Sequence, residues 1–149
     1  MSLICKIAVL NGPNLNMLGM REPGIYGHQA LADIEAECRR LASERQLGID
    51  WYQSNLEGEL ITKIHSLTGS VDWIVINAAG LTHTSVALRD ALSLFPGGVI
   101  EVHLTNIHAR ETFRHVSLIS AIAKGVIAGF GATSYYMAID AISHLHLET

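Results

Sequence analysis

Glu101 and His103 stand two residues apart in the run Val99 to Leu104, whose other members are all apolar. On a strand, residues two apart point to the same face. An ionised carboxylate inside a covered strand is costly unless it is paired or hydrogen-bonded, and the imidazole beside it is the available partner. Glu101 would then fix the ring and favour its protonated form, which makes His103 a candidate general acid. The same pattern also suits a buried structural pair. Its place at the carboxyl end of a strand, where open parallel sheets bind ligands, favours the chemical reading.

A second pair, Arg21 and Tyr26, lies in a long glycine- and proline-rich segment, residues 11–28. A free phenol titrates near pH ~10 and is a poor base at neutrality. A guanidinium ~4 Å away is worth about 4 kcal/mol at an effective dielectric of ~20, but only about 1 kcal/mol in bulk water. The first figure would bring the phenol to roughly pH 7; the second would hardly move it. A tyrosinate base therefore needs a closed, dry site, which a glycine-hinged lid carrying its own arginine could provide.

Asn14 and Asn77 are side-chain amides that can donate to an oxyanion or a carboxylate, and are equally apt as turn residues. His83 belongs to the Thr82-His-Thr-Ser85 turn ahead of a helix, with Arg89 and Asp90 on that helix. Arg110 and Arg114 follow the strand that bears His103, so they are ligand contacts or surface charges. No lysine falls near these positions, which argues against imine chemistry.

These side chains need a scaffold that brings distant segments together. Strand candidates run over residues 4–10, 49–53, 73–76, 99–104 and 125–128, and the near-continuous apolar run Trp73-Ile-Val-Ile76 marks a strand covered on both faces. Helical spacing is found over about residues 29–46, through Leu60, Ile61, Ile64 and Leu67, over Ser85 to Leu94, and after Gly131 to near Ser143. Residues 11–28 and 105–120 are expected to be irregular. Alternating strands and helices predict an α/β fold, a parallel sheet with helices on both faces. Five strands suit the flavodoxin-like order 2-1-3-4-5 in one domain over residues 1–149, with a ligand crevice between strands 1 and 3. Asn11 to Asn14 would then face Asn77 to His83, and strand 4 would bring Glu101 and His103 alongside.

Composition narrows the function. Of 149 residues, 49% are hydrophobic and only 16% charged, which is lean for a small monomer and suggests apolar area hidden between subunits. A net charge of −4 gives no support for nucleic acid or anionic membrane as a partner. No signal peptide and no membrane-length apolar stretch is visible, so a cytoplasmic setting is expected, with Cys5 and Cys38 as buried free thiols. Gly129-Phe-Gly-Ala-Thr-Ser134 misses the dinucleotide-binding glycine pattern and lies on the last strand. No phosphate-binding glycine loop and no zinc-binding spacing occurs.

The segment Asn11-Gly-Pro-Asn-Leu-Asn-Met-Leu-Gly-Met-Arg-Glu-Pro-Gly-Ile-Tyr-Gly27 resembles the opening signature of type II 3-dehydroquinate dehydratases (3-dehydroquinases). The resemblance continues through Gln53-Ser-Asn-Leu-Glu-Gly-Glu-Leu-Ile61 and Thr82-His-Thr-Ser-Val-Ala-Leu-Arg-Asp90. It resumes at Glu101-Val-His-Leu-Thr-Asn-Ile-His-Ala-Arg110 and Ala123-Lys-Gly-Val-Ile127. It implies a cytoplasmic lyase that converts 3-dehydroquinate to 3-dehydroshikimate by anti elimination through an enolate, with no metal or organic cofactor. The reaction serves the shikimate pathway of aromatic amino-acid biosynthesis, or quinate catabolism. In the family's pattern Tyr26 is the base, with Arg21 making its phenol acidic. Asn14 holds a water against the enolate oxygen. His103, oriented by Glu101, protonates the departing hydroxyl. Asn77 and the amides near Leu104 and Thr105 hold the substrate carboxylate, while His83 and Arg114 bind ring hydroxyls. Asp90 reaches a neighbouring subunit in a homododecamer, a tetramer of trimers.

Two departures from the pattern stand out. Ala78-Ala-Gly-Leu81 has glycine where the family usually has alanine and leucine where it has an aromatic ring, and Thr105 replaces the usual serine. The glycine is expected to loosen the backbone there. Three rivals remain open on sequence: another small flavodoxin-like enzyme using Glu101 and His103, a binding or signalling module, and an inactive homologue retained for assembly.

Overall fold

The computed structural model describes residues 2–20, 22–26 and 28–147. Five strands among them form one all-parallel sheet in the order β2-β1-β3-β4-β5, as the sequence predicts. In chain order these are β1 (Cys5–Asn11), β2 (Leu47–Gln53), β3 (Trp73–Asn77), β4 (Gly98–His103) and β5 (Gly125–Ala128). The helices are a single turn α1 (Pro23–Tyr26), then α2 (Leu31–Glu44), α3 (Glu57–Leu67), α4 (Val86–Leu94) and α5 (Thr133–Leu147).

Side-chain alternation along the strands divides the core in two. Ile7, Val9, Val75, Ile100 and Val102 pack with Ile34, Cys38, Tyr135 and Ile139, beneath α2 and α5. Ala8, Leu10, Ile74, Ile76 and Val99 pack with Leu60, Ile64, Leu88 and Leu92, beneath α3 and α4. α4 starts where Ser85 Oγ accepts the Leu88 N–H at 2.9 Å, a helix N-cap that fixes the chain just past His83.

Several boundaries differ from the sequence reading. β2 begins two residues early, at Leu47, and α5 runs on to Leu147. The irregular stretch after β4 contains three short 3-10 turns, Ile107–Ala109, Thr112–Arg114 and Ser120–Ile122. Strand pairing fixes the functional edge. Gln53, Asn11 and Asn77 lie side by side as the last paired row across β2, β1 and β3, and Ile76 pairs with Glu101.

Candidate active site

Where β1 leaves the sheet, Gly12 N–H donates to the Asn77 carbonyl at 2.8 Å. The two backbones run so close that a Cβ at position 12 would stand 2.5 Å from the Ala78 carbonyl oxygen; only glycine fits. Beyond it Asn14 adopts the left-handed conformation, φ 72°. Its N–H donates to Asn55 Oδ1 at 2.9 Å, and Gln53 Nε2 bridges Asn55 Oδ1 and the Gly12 carbonyl. The end of β2 therefore holds the loop that presents Asn14. Gln53 and Asn55 lie inside a recognised sequence motif, yet nothing local in them signals this supporting role.

After β3 the chain turns through Ala79, another left-handed residue, φ 52°. Such a conformation costs an alanine about 1–2 kcal/mol. Here the Ala79 N–H is held by Asn77 Oδ1 at 3.1 Å. Gly80, the departure noted above, faces open space, so no steric demand selects glycine. Leu81 packs against the α3/α4 core.

On β4, Glu101 is fully buried and His103 nearly so, at 5% exposure. His103 Nε2 and Glu101 Oε2 are 2.5 Å apart. Because the carboxylate accepts, Nε2 carries the proton of this bond and Nδ1 is the nitrogen left for other work. The carboxylate has two further donors: Ser117 Oγ at 3.1 and 3.0 Å from its two oxygens, and Ser120 Oγ at 2.7 Å from Oε1. Burial pushes the Glu101 carboxyl upward. The hydrogen bonds from His103, Ser120 and Ser117, together with the charge of His103, outweigh it and hold the group below its usual range. Neither serine was singled out from sequence. Hydroxyls 16 and 19 residues downstream in an irregular stretch carry no pattern that would mark them.

These segments enclose a cavity of about 170 Å³ at the carboxyl edge of the sheet, a space for one small molecule. Asn14, Asn77, His83 and His103 line it, with Leu104, Thr105 and Arg114. His83 and His103 are near parallel, with ring centroids 6.5 Å apart. His83 Nδ1 lies 2.8 Å from the Val116 carbonyl and must therefore donate, which leaves Nε2 to accept when the ring is neutral. Arg114 donates to Glu111 at 2.8 Å and lies over the Phe113 ring. That contact holds the Glu111 carboxyl below its usual range.

Arg110, which sequence reasoning placed beside the site without assigning it a role, also lines the cavity and reaches Thr105 Oγ1 at 3.4 Å. Glu101 stands behind His103, away from the lining. Asp90 is exposed on α4 and does not line the cavity. Arg21 lies outside the described residues, and of Tyr26 only the backbone, ending the turn α1, is described. Cys5 and Cys38 are buried free thiols, both pushed up to about 12 chiefly by burial, so neither is a nucleophile. Among the described residues no group of three or more His, Cys, Asp or Glu side chains could hold a metal ion, and no helix is long and apolar enough to cross a membrane.

The sheet order, the crevice and the imidazole–carboxylate pair define an α/β enzyme of the flavodoxin-like type. Residues 5–143 match the family model described as dehydroquinase class II. The chain is 55% identical over 141 residues to a 3-dehydroquinate dehydratase of Synechococcus sp. (strain WH7803), covering 94% of this chain and 96% of that one. A 3-dehydroquinate dehydratase of Dinoroseobacter shibae is 54% identical over 140 residues, 93% of each chain. Among solved structures, the type II dehydroquinase of Butyrivibrio crossotus superimposes with a TM-score of 0.91 at 41% identity, covering 93% of this chain and 97% of that one. That of Propionibacterium acnes gives 0.92 at 38% identity, covering 97% and 99%. The chain belongs to the class II dehydroquinase family.

Proposed function

We propose that this chain, as one catalytic domain, dehydrates 3-dehydroquinate to 3-dehydroshikimate. The observation that carries the reading is the single small cavity into which His103, backed by buried Glu101, faces together with Asn14, Asn77, His83 and Arg114. Family membership supplies the substrate.

The chemistry asks for two proton transfers at different carbons. Tyr26 removes the C2 proton beside the ketone, its phenol made acidic by Arg21. Asn14 holds a water against the enolate oxygen. His103 protonates the C1 hydroxyl, which would otherwise leave as hydroxide, and the carbon–oxygen bond breaks as the C1–C2 double bond forms. Glu101, kept anionic by its three donors, holds and orients the imidazole. Asn77 and the amides of Leu104 and Thr105 bind the carboxylate; His83 and Arg114 bind ring hydroxyls. No cofactor takes part.

The cavity takes no side chain from Asp90, whose proposed place is in a neighbouring subunit's site. Exposed Val86, Phe113 and Val116 support burial of this surface in an assembly, read as a homododecamer in the cytoplasm. Arg89 and the Leu118 carbonyl, 3.2 Å apart, tie α4 to that segment.

The test is the ultraviolet absorbance of the conjugated enone-carboxylate product after 3-dehydroquinate is added to wild type and to Tyr26→Phe. A borohydride pre-treatment is run beside it to trap any imine. Turnover that survives borohydride and vanishes in the variant is expected. Inert wild-type protein that folds and assembles would refute the assignment.

A further inference from the structure

Behind the cavity, on the α2/α5 face of the sheet, a line of hydrogen bonds, buried at its centre, runs between two backbone groups that cannot change direction. At one end the Ala79 N–H donates to Asn77 Oδ1. An N–H can only donate, so the Asn77 oxygen is fixed on that side and its Nδ2 turns the other way, to Tyr135 Oη at 3.0 Å. At the other end the Tyr52 carbonyl can only accept; it takes Asn11 Nδ2 at 3.1 Å. Asn11 Oδ1 is therefore left to accept from Tyr135 Oη, 2.7 Å away. The two ends meet at one hydroxyl that must accept from Asn77 and donate to Asn11. Tyr135 is fully buried, packed beside Trp51 with ring centroids 6.0 Å apart. Burial pushes its phenol well above the usual range, so it stays a neutral hydroxyl.

We infer that Tyr135 is a positioning residue that, with the Ala79 N–H, locks the Asn77 amide so that its nitrogen rather than its oxygen is offered to the ligand. With the network intact, one Asn77 N–H is engaged by Tyr135 and the other is left for the cavity that Asn77 lines. The site then offers a donor there and selects an anionic or carbonyl oxygen. Without the Tyr135 hydroxyl nothing opposes rotation of the amide except its bond to Ala79, and the carbonyl can turn inward against a carboxylate. This rests on the reading of Asn77 as the carboxylate-binding group.

Three proteins separate the two claims: wild type, Tyr135→Phe and Asn77→Asp, each checked for folding by circular dichroism. Turnover of 3-dehydroquinate is measured in each, and calorimetry compares binding of quinate with that of its methyl ester. Removing one hydrogen-bond donor to a charged group typically costs about 10- to 100-fold. Tyr135→Phe is therefore expected to raise KM about tenfold or more with kcat within about threefold, and to shrink the preference for quinate over its ester by a like factor. A hydroxyl that only braced the fold would lower the melting temperature and leave KM and that preference unchanged, and this outcome overturns the inference. Asn77→Asp with wild-type binding would instead overturn the role given to Asn77, and inert wild type the proposed function. Should Tyr135→Phe fail to fold, Asn11→Ala carries the same test. It frees the Tyr135 proton to turn towards Asn77, so the same rise in KM is expected and an unchanged KM overturns the inference.

Discussion

On the α2/α5 face the carboxyl edge of the sheet ends in Asn11, Tyr135 and Asn77, a neutral group in which each described bond has one allowed direction. On the α3/α4 face the same edge ends in Glu101, His103, Ser117 and Ser120, where a buried carboxylate is held ionised by three side chains. The first region has no charge to stabilise and can only fix geometry. The second has a charge that burial opposes, and its hydrogen bonds offset that cost. Under the proposed function the difference gives them separate work: the neutral network would orient a binding group, and the charged cluster would hold and orient an acid. Changes on one face should therefore appear in KM, and changes on the other in kcat and its pH dependence.

The largest effect is expected from the charged face. His103→Ala would remove the proposed proton donor to the leaving hydroxyl, and kcat should fall about 10³-fold, the usual scale for a lost general acid, with a smaller change in KM. Steady-state kinetics check this. Equal losses in binding would move His103 to a binding role.

Next comes the serine clamp. Ser120→Ala and Ser117→Ala each remove a donor to the carboxylate, leaving it more basic. The descending limb of the pH profile, which reports the acid, should then move to higher pH while the ascending limb, which reports the Tyr26 base, stays in place, and kcat should fall about tenfold. A profile lowered in height but unmoved along the pH axis would show that the serines only fill space.

A third prediction concerns the wall between the two regions. Gly12→Ala sets a methyl group against the Ala78 carbonyl and should destabilise the protein by about 1–3 kcal/mol, read by thermal unfolding. Gly80→Ala meets open space and should change stability little.

The smallest effect is the pH dependence of stability. The Glu101 carboxyl lies below its ordinary 4.5 in the folded state, so its contribution is fully present above about that pH. It is lost as pH falls through the lower folded value. The stability advantage of wild type over Glu101→Gln should narrow as pH falls below 4.5. A gap that widened on acidification would give the shift the opposite sign.

The strand order was legible in the sequence because strand-like runs alternate with helical segments, which leaves a parallel sheet as the economical solution, and polar residues end β1, β3 and β4. The pairing of Glu101 with His103 was legible for a physical reason: a buried carboxylate needs a partner, and the residue two along the strand shares its face. Its two serine donors were not, since only the folded path of residues 105–120 carries them back to β4. Tyr135 was less legible still. On its own it reads as a packing residue of the last helix, and its partners lie 124 and 58 residues away in sequence. One signal was present. Asn11 and Asn77 share strand parity with Val9 and Val75, so once β1 and β3 are neighbours both amides fall on the face that α5 covers.

The most direct test of this division is steady-state turnover of 3-dehydroquinate by wild type, Glu101→Gln and Tyr135→Phe, measured side by side at neutral pH. The account predicts that wild type turns over, that Glu101→Gln loses kcat with little change in KM, and that Tyr135→Phe raises KM with little change in kcat. Inert wild type, or two variants that lose both parameters in the same proportion, would contradict it.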